Sequence, residues 1–212
     1  MTKSFTAQIL DGLDYLHAKG IIHRVRRFRP FIAVRASIRC VFQDLKADNI
    51  LVEELGLCKI TDFGISKRTD DINMIGAHTS MQGSVFWMAP EVINSKKKGY
   101  NSKIDIWSVG CVVFEMWTGE RPWSGQEAVA VLLQVCIHFN KLSGPLSLNP
   151  LPQLYQTKVG PPLPEDVDLS PQADDLRKRC FAMNPDERPT AGELRQHQYL
   201  MLPPGWEFNG FQ

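Results

Sequence analysis

The stretch Asp44–Gly64, "DLKADNILVEELGLCKITDFG", decides how the rest of the chain is read. Asp44 and Asn49 stand five positions apart, which sets a carboxylate and an amide on one tight loop ahead of a strand. Two β-prone runs, Asn-Ile-Leu-Val and Leu-Cys-Lys-Ile, flank Glu-Glu-Leu-Gly and predict a hairpin. Such a hairpin brings its ends side by side, so Asn49 and Asp62 can share a hard cation through oxygen. Taken singly, Asp44 and Asn49 read better as turn formers, and Asp62 as a strand terminator.

Working outward, the hairpin sits among helices. Phe5, Ile9, Leu13 and Leu16 recur at helical spacing, predicting a helix over 4–19 that stops at Gly20. Residues 65–88 lack periodicity and are rich in Ser, Thr and Gly, the composition of a long loop. "IDIWSVGCVVFEMWTG" (104–119) is apolar nearly all round and ends on glycine, as a buried helix does. "SGQEAVAVLLQ" (124–134) predicts a shorter amphipathic helix, and "GPPLPEDVDL" (160–169) a proline-rich connection. Two further helices open on capping signals: Ser170 with Pro171 in the first turn, and Thr190 with Glu193 as a capping box. The expected fold is mainly α with one small β-hairpin and a long loop.

Composition limits the alternatives. A chain of 212 residues with 43 % apolar and 22 % charged residues is an ordinary globular domain. Its five cysteines are scattered, with no Cys-x-x-Cys and no Cys/His cluster, which suits a reduced, intracellular setting. No apolar run reaches membrane-spanning length, and the first twenty residues pattern as an amphipathic helix, not a signal peptide. A net charge of +1 gives no global reason for a nucleic-acid partner.

Two stretches break the pattern. Residues 25–43 hold Arg26, Arg27, Arg29, Arg35 and Arg39 and no acid; residues 135–153 hold only Lys141 and again no acid. At the chain's average these segments should carry roughly four acids. Without them the chain has 18 basic and 23 acidic residues. Each is nineteen residues long, begins with Val and ends with Gln. Valine codons begin GT and a glutamine codon is CAG, so both read as short in-frame introns translated with the message. The rival reading is two genuine surface loops, against which stands the scarcity of long structureless loops. An arginine run also suits RNA or anionic lipid, but this one lacks interleaved polar base readers.

In order along the chain come Asp44-Leu-Lys-Ala-Asp-Asn49, Asp62-Phe63-Gly64 and Ala89-Pro90-Glu91, followed by "IDIWSVG" and "NPDERPT". This ordered set resembles the signature of protein kinases. "GSVFWMAPEVI" and "KIDIWSVGCVVFEMWTGERPWS", with the ending "LPPGWEFNGF", are similar to MAP kinase kinase kinases, the fungal ones above all. The resemblance implies ATP and Mg2+ as cofactors. It makes Asp44 the residue that accepts or orients the hydroxyl proton and Lys46 the offset for charge on the transferring phosphate. Lys46 two residues after Asp44 resembles serine/threonine kinases. Asn49 and Asp62 would hold magnesium, Phe63 would pack beneath the loop, and Gly64 would let the backbone turn. Residues 65–88 become an activation segment with Thr79, Ser80 and Ser84 as phosphosite candidates, and Arg24 as the partner of a phosphate there. Glu91 would pair with Arg188, and Asp105 would hydrogen-bond the catalytic loop's backbone.

The same resemblance marks what the sequence does not contain: the glycine-rich loop, strand lysine and helix glutamate of a β-rich N-lobe. The expectation is a kinase-like C-lobe lacking that lobe, a catalytic fragment whose activity as written is in doubt. The alternative is an inactive fragment that serves as a binding module. The implied partners are a MAP kinase kinase as protein substrate and an upstream kinase or scaffold, without nucleic acid or membrane, in the cytoplasm. His23 reads as a packed histidine supporting the loop. Cys58 and Cys111 read as core residues, and Trp107, Trp117 and Trp123 as packing groups near the substrate face.

Overall fold

The computed structural model describes residues 1–19, 40–41, 45–61, 67–68, 85–93, 101–128, 130–131 and 160–210. Helix α1, Thr2–Lys19, buries Phe5, Ile9, Leu10 and Leu13 along one stripe and leaves Asp11, Asp14 and Tyr15 exposed. The spacing that predicts this helix is the spacing of the residues it buries. Helix α2 is one turn, Pro90–Ile93. Helix α3, Lys103–Thr118, is buried from Ile104 to Phe114 without a break. That is what its all-round apolar sequence requires, and it makes α3 the axis of the molecule. It ends at Gly119, whose φ of 72° is the left-handed conformation that closes a helix, with its N–H on the Glu115 carbonyl at 2.8 Å.

Helix α4, Pro171–Cys180, and helix α5, Ala191–Arg195, pack onto α1 and α3. Ser170 caps α4 by accepting from the Ala173 N–H at 3.2 Å. Thr190 and Glu193 form the reciprocal capping box at the start of α5. One apolar core joins Ile9, Leu10 and Leu13 of α1, Ile106, Val109 and Val113 of α3, and Leu176 and Leu194 of the last helices. Leu45, just ahead of the short 3-10 turn Ala47–Asn49, is fully buried in it. That anchor is how the core fixes the loop carrying the polar residues.

Strands β2, Ile50–Val52, and β3, Cys58–Ile60, form the expected antiparallel hairpin, with Ile50 opposite Ile60 and Val52 opposite Cys58. A second pair had no counterpart in the sequence reading. Strand β1, Cys40–Val41, lies antiparallel to β4, Lys67–Arg68. Two residues of the arginine-rich stretch are therefore built into a strand, and part of the expected loop 65–88 is another. The loop's end is a 3-10 turn, Val85–Trp87. Pairs of two residues carry too little alternation to be read from sequence. Of the amphipathic helix expected over 124–134, residues 124–127 are turn or irregular, so the helix starts later than expected; 128 and 130–131 are helical, and 129 and 132–134 lie outside the described residues.

Candidate functional site

The site is built where β2 begins. Lys46 is extended (φ −145°, ψ 166°), and the backbone then tightens so that the Asn49 N–H reaches the Lys46 carbonyl at 3.0 Å. Asn49 is buried, while Asp48 beside it is exposed. The Asn49 carbonyl accepts twice from Thr61: from its N–H at 2.8 Å and from its hydroxyl at 3.2 Å. These two hydrogen bonds close the base of the hairpin and tie Asn49 to the residue immediately before Asp62.

The sequence reading missed Glu115. It stands near the end of α3, and its carboxylate accepts from the Trp87 indole N–H at 2.6 Å. The Ala47 backbone N–H also bonds to it. Burial pushes the Glu115 carboxyl above its ordinary value and the nearby Asp48 adds to this; the bonds from Trp87 and Ala47 oppose it. Glu115 thus joins the loop that presents Asn49 to the turn that ends the long loop. Two more side chains of α3 hold that turn: Ser108 donates to the Trp87 carbonyl at 3.1 Å, and the Cys111 thiol to the Phe86 carbonyl at 3.8 Å. The available signal was a second carboxylate, after Asp105, in an otherwise largely apolar helix, which demands a partner.

Arg188 is the most deeply buried cation among the described residues. It meets Glu91 through two parallel bonds, Nη1 to Oε1 at 2.6 Å and Nη2 to Oε2 at 2.9 Å. Nε donates to the Ala182 carbonyl at 2.8 Å, and Nη1 also donates to the Lys103 carbonyl at 3.1 Å. The guanidinium carbon lies 5.0 Å from the Trp107 ring centre. One side chain therefore fastens α2, the start of α3 and the α4–α5 connection. Asp105, fully buried on α3, bonds His17 Nε2 at 2.7 Å. That partner on α1 was not foreseen, and it adds a polar tie between the two helices.

Of the residues singled out from the sequence, Lys46, Asn49, Glu91, Asp105 and Arg188 are described. Lys46 and Asn49 share the turn before β2, and Glu91 and Arg188 share the buried pair. Arg24, Asp44, Asp62, Phe63, Gly64, Thr79, Ser80 and Ser84 lie outside the described residues, as does His23. Trp107 and Trp123 are buried; Trp117 is half-buried and donates to the Tyr199 hydroxyl at 2.8 Å. No helix among the described residues is long and apolar enough to cross a membrane.

The family described as protein kinase domain matches residues 36–200. The chain is 41 % identical to the MAP kinase kinase kinase mkh1 of Schizosaccharomyces pombe, over 94 % of this chain and 15 % of that protein. It is 44 % identical to the mitogen-activated protein kinase kinase kinase bck1 of Aspergillus fumigatus, over 98 % of this chain and 11 % of that protein. It is also 39 % identical to the serine/threonine-protein kinase BCK1/SLK1/SSP31 of Saccharomyces cerevisiae, over 94 % and 11 % respectively. The chain therefore spans well under a fifth of the length of these relatives.

Proposed function

The chain belongs to the protein kinase family, and from that premise we propose that it carries the catalytic residues of a serine/threonine kinase acting on MAP kinase kinases in the cytoplasm. The observation that carries this reading is the closed hairpin base, with Asn49 bonded twice to Thr61. It supports placing the Asn49 amide and the carboxylate that follows Thr61 at one end of the hairpin. An amide oxygen and a carboxylate are hard donors and fit magnesium. Bound Mg2+–ATP supplies the phosphoryl group and neutralises its charge.

The chain's own residues then divide the work. Asn49 and Asp62 hold the cation. Asp44 orients the acceptor hydroxyl and takes its proton. Lys46 sets a positive charge beside the transferring phosphate. Asp48 and Glu115 add negative charge near the same loop. Thr79, Ser80 and Ser84 are the modification sites of the activation segment, and Arg24 receives the phosphate.

The test is transfer of labelled γ-phosphate to a MAP kinase kinase by the longest polypeptide that the transcript encodes. Asp44→Asn and Asp62→Asn should each lower the rate by about 100-fold or more. Equal rates in wild type and both variants exclude this assignment. Substrate capture without any transfer in the wild type favours the binding-module reading instead.

On the same reading, residues 25–43 and 135–153 are translated introns. Their equal length, lack of acids and shared Val and Gln ends support this. The pairing of Cys40–Val41 with Lys67–Arg68 and a family match that begins at residue 36 count towards a genuine segment. Sequencing the transcript across both boundaries decides it: mature message that retains either stretch rules out the intron reading for that stretch.

A further inference from the structure

Residues 201–210 lie beyond the family match, yet they return to the hairpin that presents Asn49. After the 3-10 turn Gln198–Leu200, the Pro203 carbonyl accepts from the Trp206 N–H at 3.2 Å. Pro204 and Gly205 occupy the middle of this turn, and Gly205 has φ 77°. Proline followed by a left-handed glycine is the chemistry of a type II turn. The reversal brings Phe208 onto the hairpin tip.

The tip is shaped to receive it. Gly56 has φ 75°, and a Cβ there would fall 2.5 Å from Phe208 Cγ. The absent side chain is thus the notch in which the ring rests. On its other side the ring meets Phe5 of α1, with centroids 5.7 Å apart and planes tilted by 49°. One turn along α1, Gln8 grips the same tip from both its amide atoms. Its Nε2 donates to the Gly56 carbonyl at 3.0 Å, and its Oε1 accepts from the Cys58 N–H at 2.9 Å. The tip is therefore held between helix and tail.

We propose that the C-terminal tail is a strap, and that Phe208, seated in the Gly56 notch, is a positioning residue for Asn49. The ladder is short and rigid: Ile50 faces Ile60 and Val52 faces Cys58, and the base is shut by the Thr61–Asn49 bonds. Three paired residues span only about 10 Å, so the tip and the base move as one body. A two-stranded hairpin is marginal by itself and needs packing to hold its register. The strap supplies that packing at the end away from the polar loop. It uses residues outside the catalytic set and stands whether or not the chain transfers phosphate.

The test is residue-resolved amide hydrogen exchange on the full chain. In Phe208→Ala the amides of Gly56, Cys58 and Thr61 should exchange roughly tenfold faster or more, while those inside α3 and α4 stay as they were. Phe208→Leu, which refills the notch with apolar volume, should restore most of the protection. A chain ended after Leu202 should reproduce the alanine variant. An unchanged Thr61 amide overturns the proposal, because the tip is then uncoupled from Asn49. So does equal acceleration in α3 and α4, which would make Phe208 a general stabiliser, and so does failure of leucine to rescue.

Discussion

At Arg188 the cost of burial is met bond by bond. Four of its five N–H groups reach Glu91, Ala182 and Lys103, and an aromatic ring covers one face. Glu91→Ala leaves that cation buried without its counter-charge and should cost about 3–5 kcal/mol, read as a lower urea midpoint. A loss under about 1 kcal/mol would instead describe a solvated pair. Glu115 presents the opposite balance. Burial raises its carboxyl, so the folded chain binds that proton more tightly than the unfolded chain does. Its contribution is full below the unfolded carboxylate pKa and is lost as pH rises through the higher folded value. Glu115→Gln should remove this term. The unfolding free energy of wild type minus variant should then fall as pH rises from about 4 toward neutrality. A difference that is flat, or that climbs with pH, contradicts the burial of this carboxylate.

The elements differ in how much of them sequence reveals. Helices α1 and α3 and the β2–β3 hairpin are legible because long or strictly ordered patterns specify them: a stripe in α1, unbroken apolarity in α3, and two β-prone runs about a glycine turn. The caps Ser170 and Thr190 are legible because their bonds are local. The β1–β4 pair is not, since two residues per strand carry no period and the partners, Cys40 with Arg68 and Val41 with Lys67, stand far apart in the chain. Nor is the approach of α3 to α4. Gly110 looks like a liability within a helix, but a Cβ there would meet Cys180 Cβ at 2.7 Å and the Phe181 ring at 3.1 Å. Glycine is what lets the two helices close. Gly110→Ala should therefore destabilise by about 1–3 kcal/mol through overpacking, despite the better helix propensity of alanine. Chemical denaturation measures this; a more stable variant would show that the helices can part without loss.

For the molecule as a whole, the buried thiols of Cys111 and Cys180, with the half-buried Cys58, report on the integrity of the core. Burial pushes Cys58 up to about 11 and Cys180 up to about 12, and Cys111 rises well above its ordinary value, with Glu115 adding to the effect of burial. At pH 8 these groups stay as unreactive thiols. Iodoacetamide should label Cys111 and Cys180 only after denaturation, with mass spectrometry locating the adducts. Prompt labelling of either in the native chain would mean that the α3–α4 contact opens. The same core joins the parts of the site. Leu45 anchors the loop before Asn49, and Glu115 links that loop to Trp87.

The sequence by itself determined the helices with long apolar patterns, the hairpin, the caps and the family. Each rests on residues close in the chain or on an ordered set of motifs. Only the tertiary structure decided that Glu115 joins two loops, that His17 meets Asp105, that Gly110 is a helix contact, and that Phe208 fills the space above Gly56. Those partners stand from 28 to 152 residues apart, or meet across packed helices. Contacts of this kind leave no periodic trace in the chain. They follow from packing, which sets distance in space independently of distance in sequence.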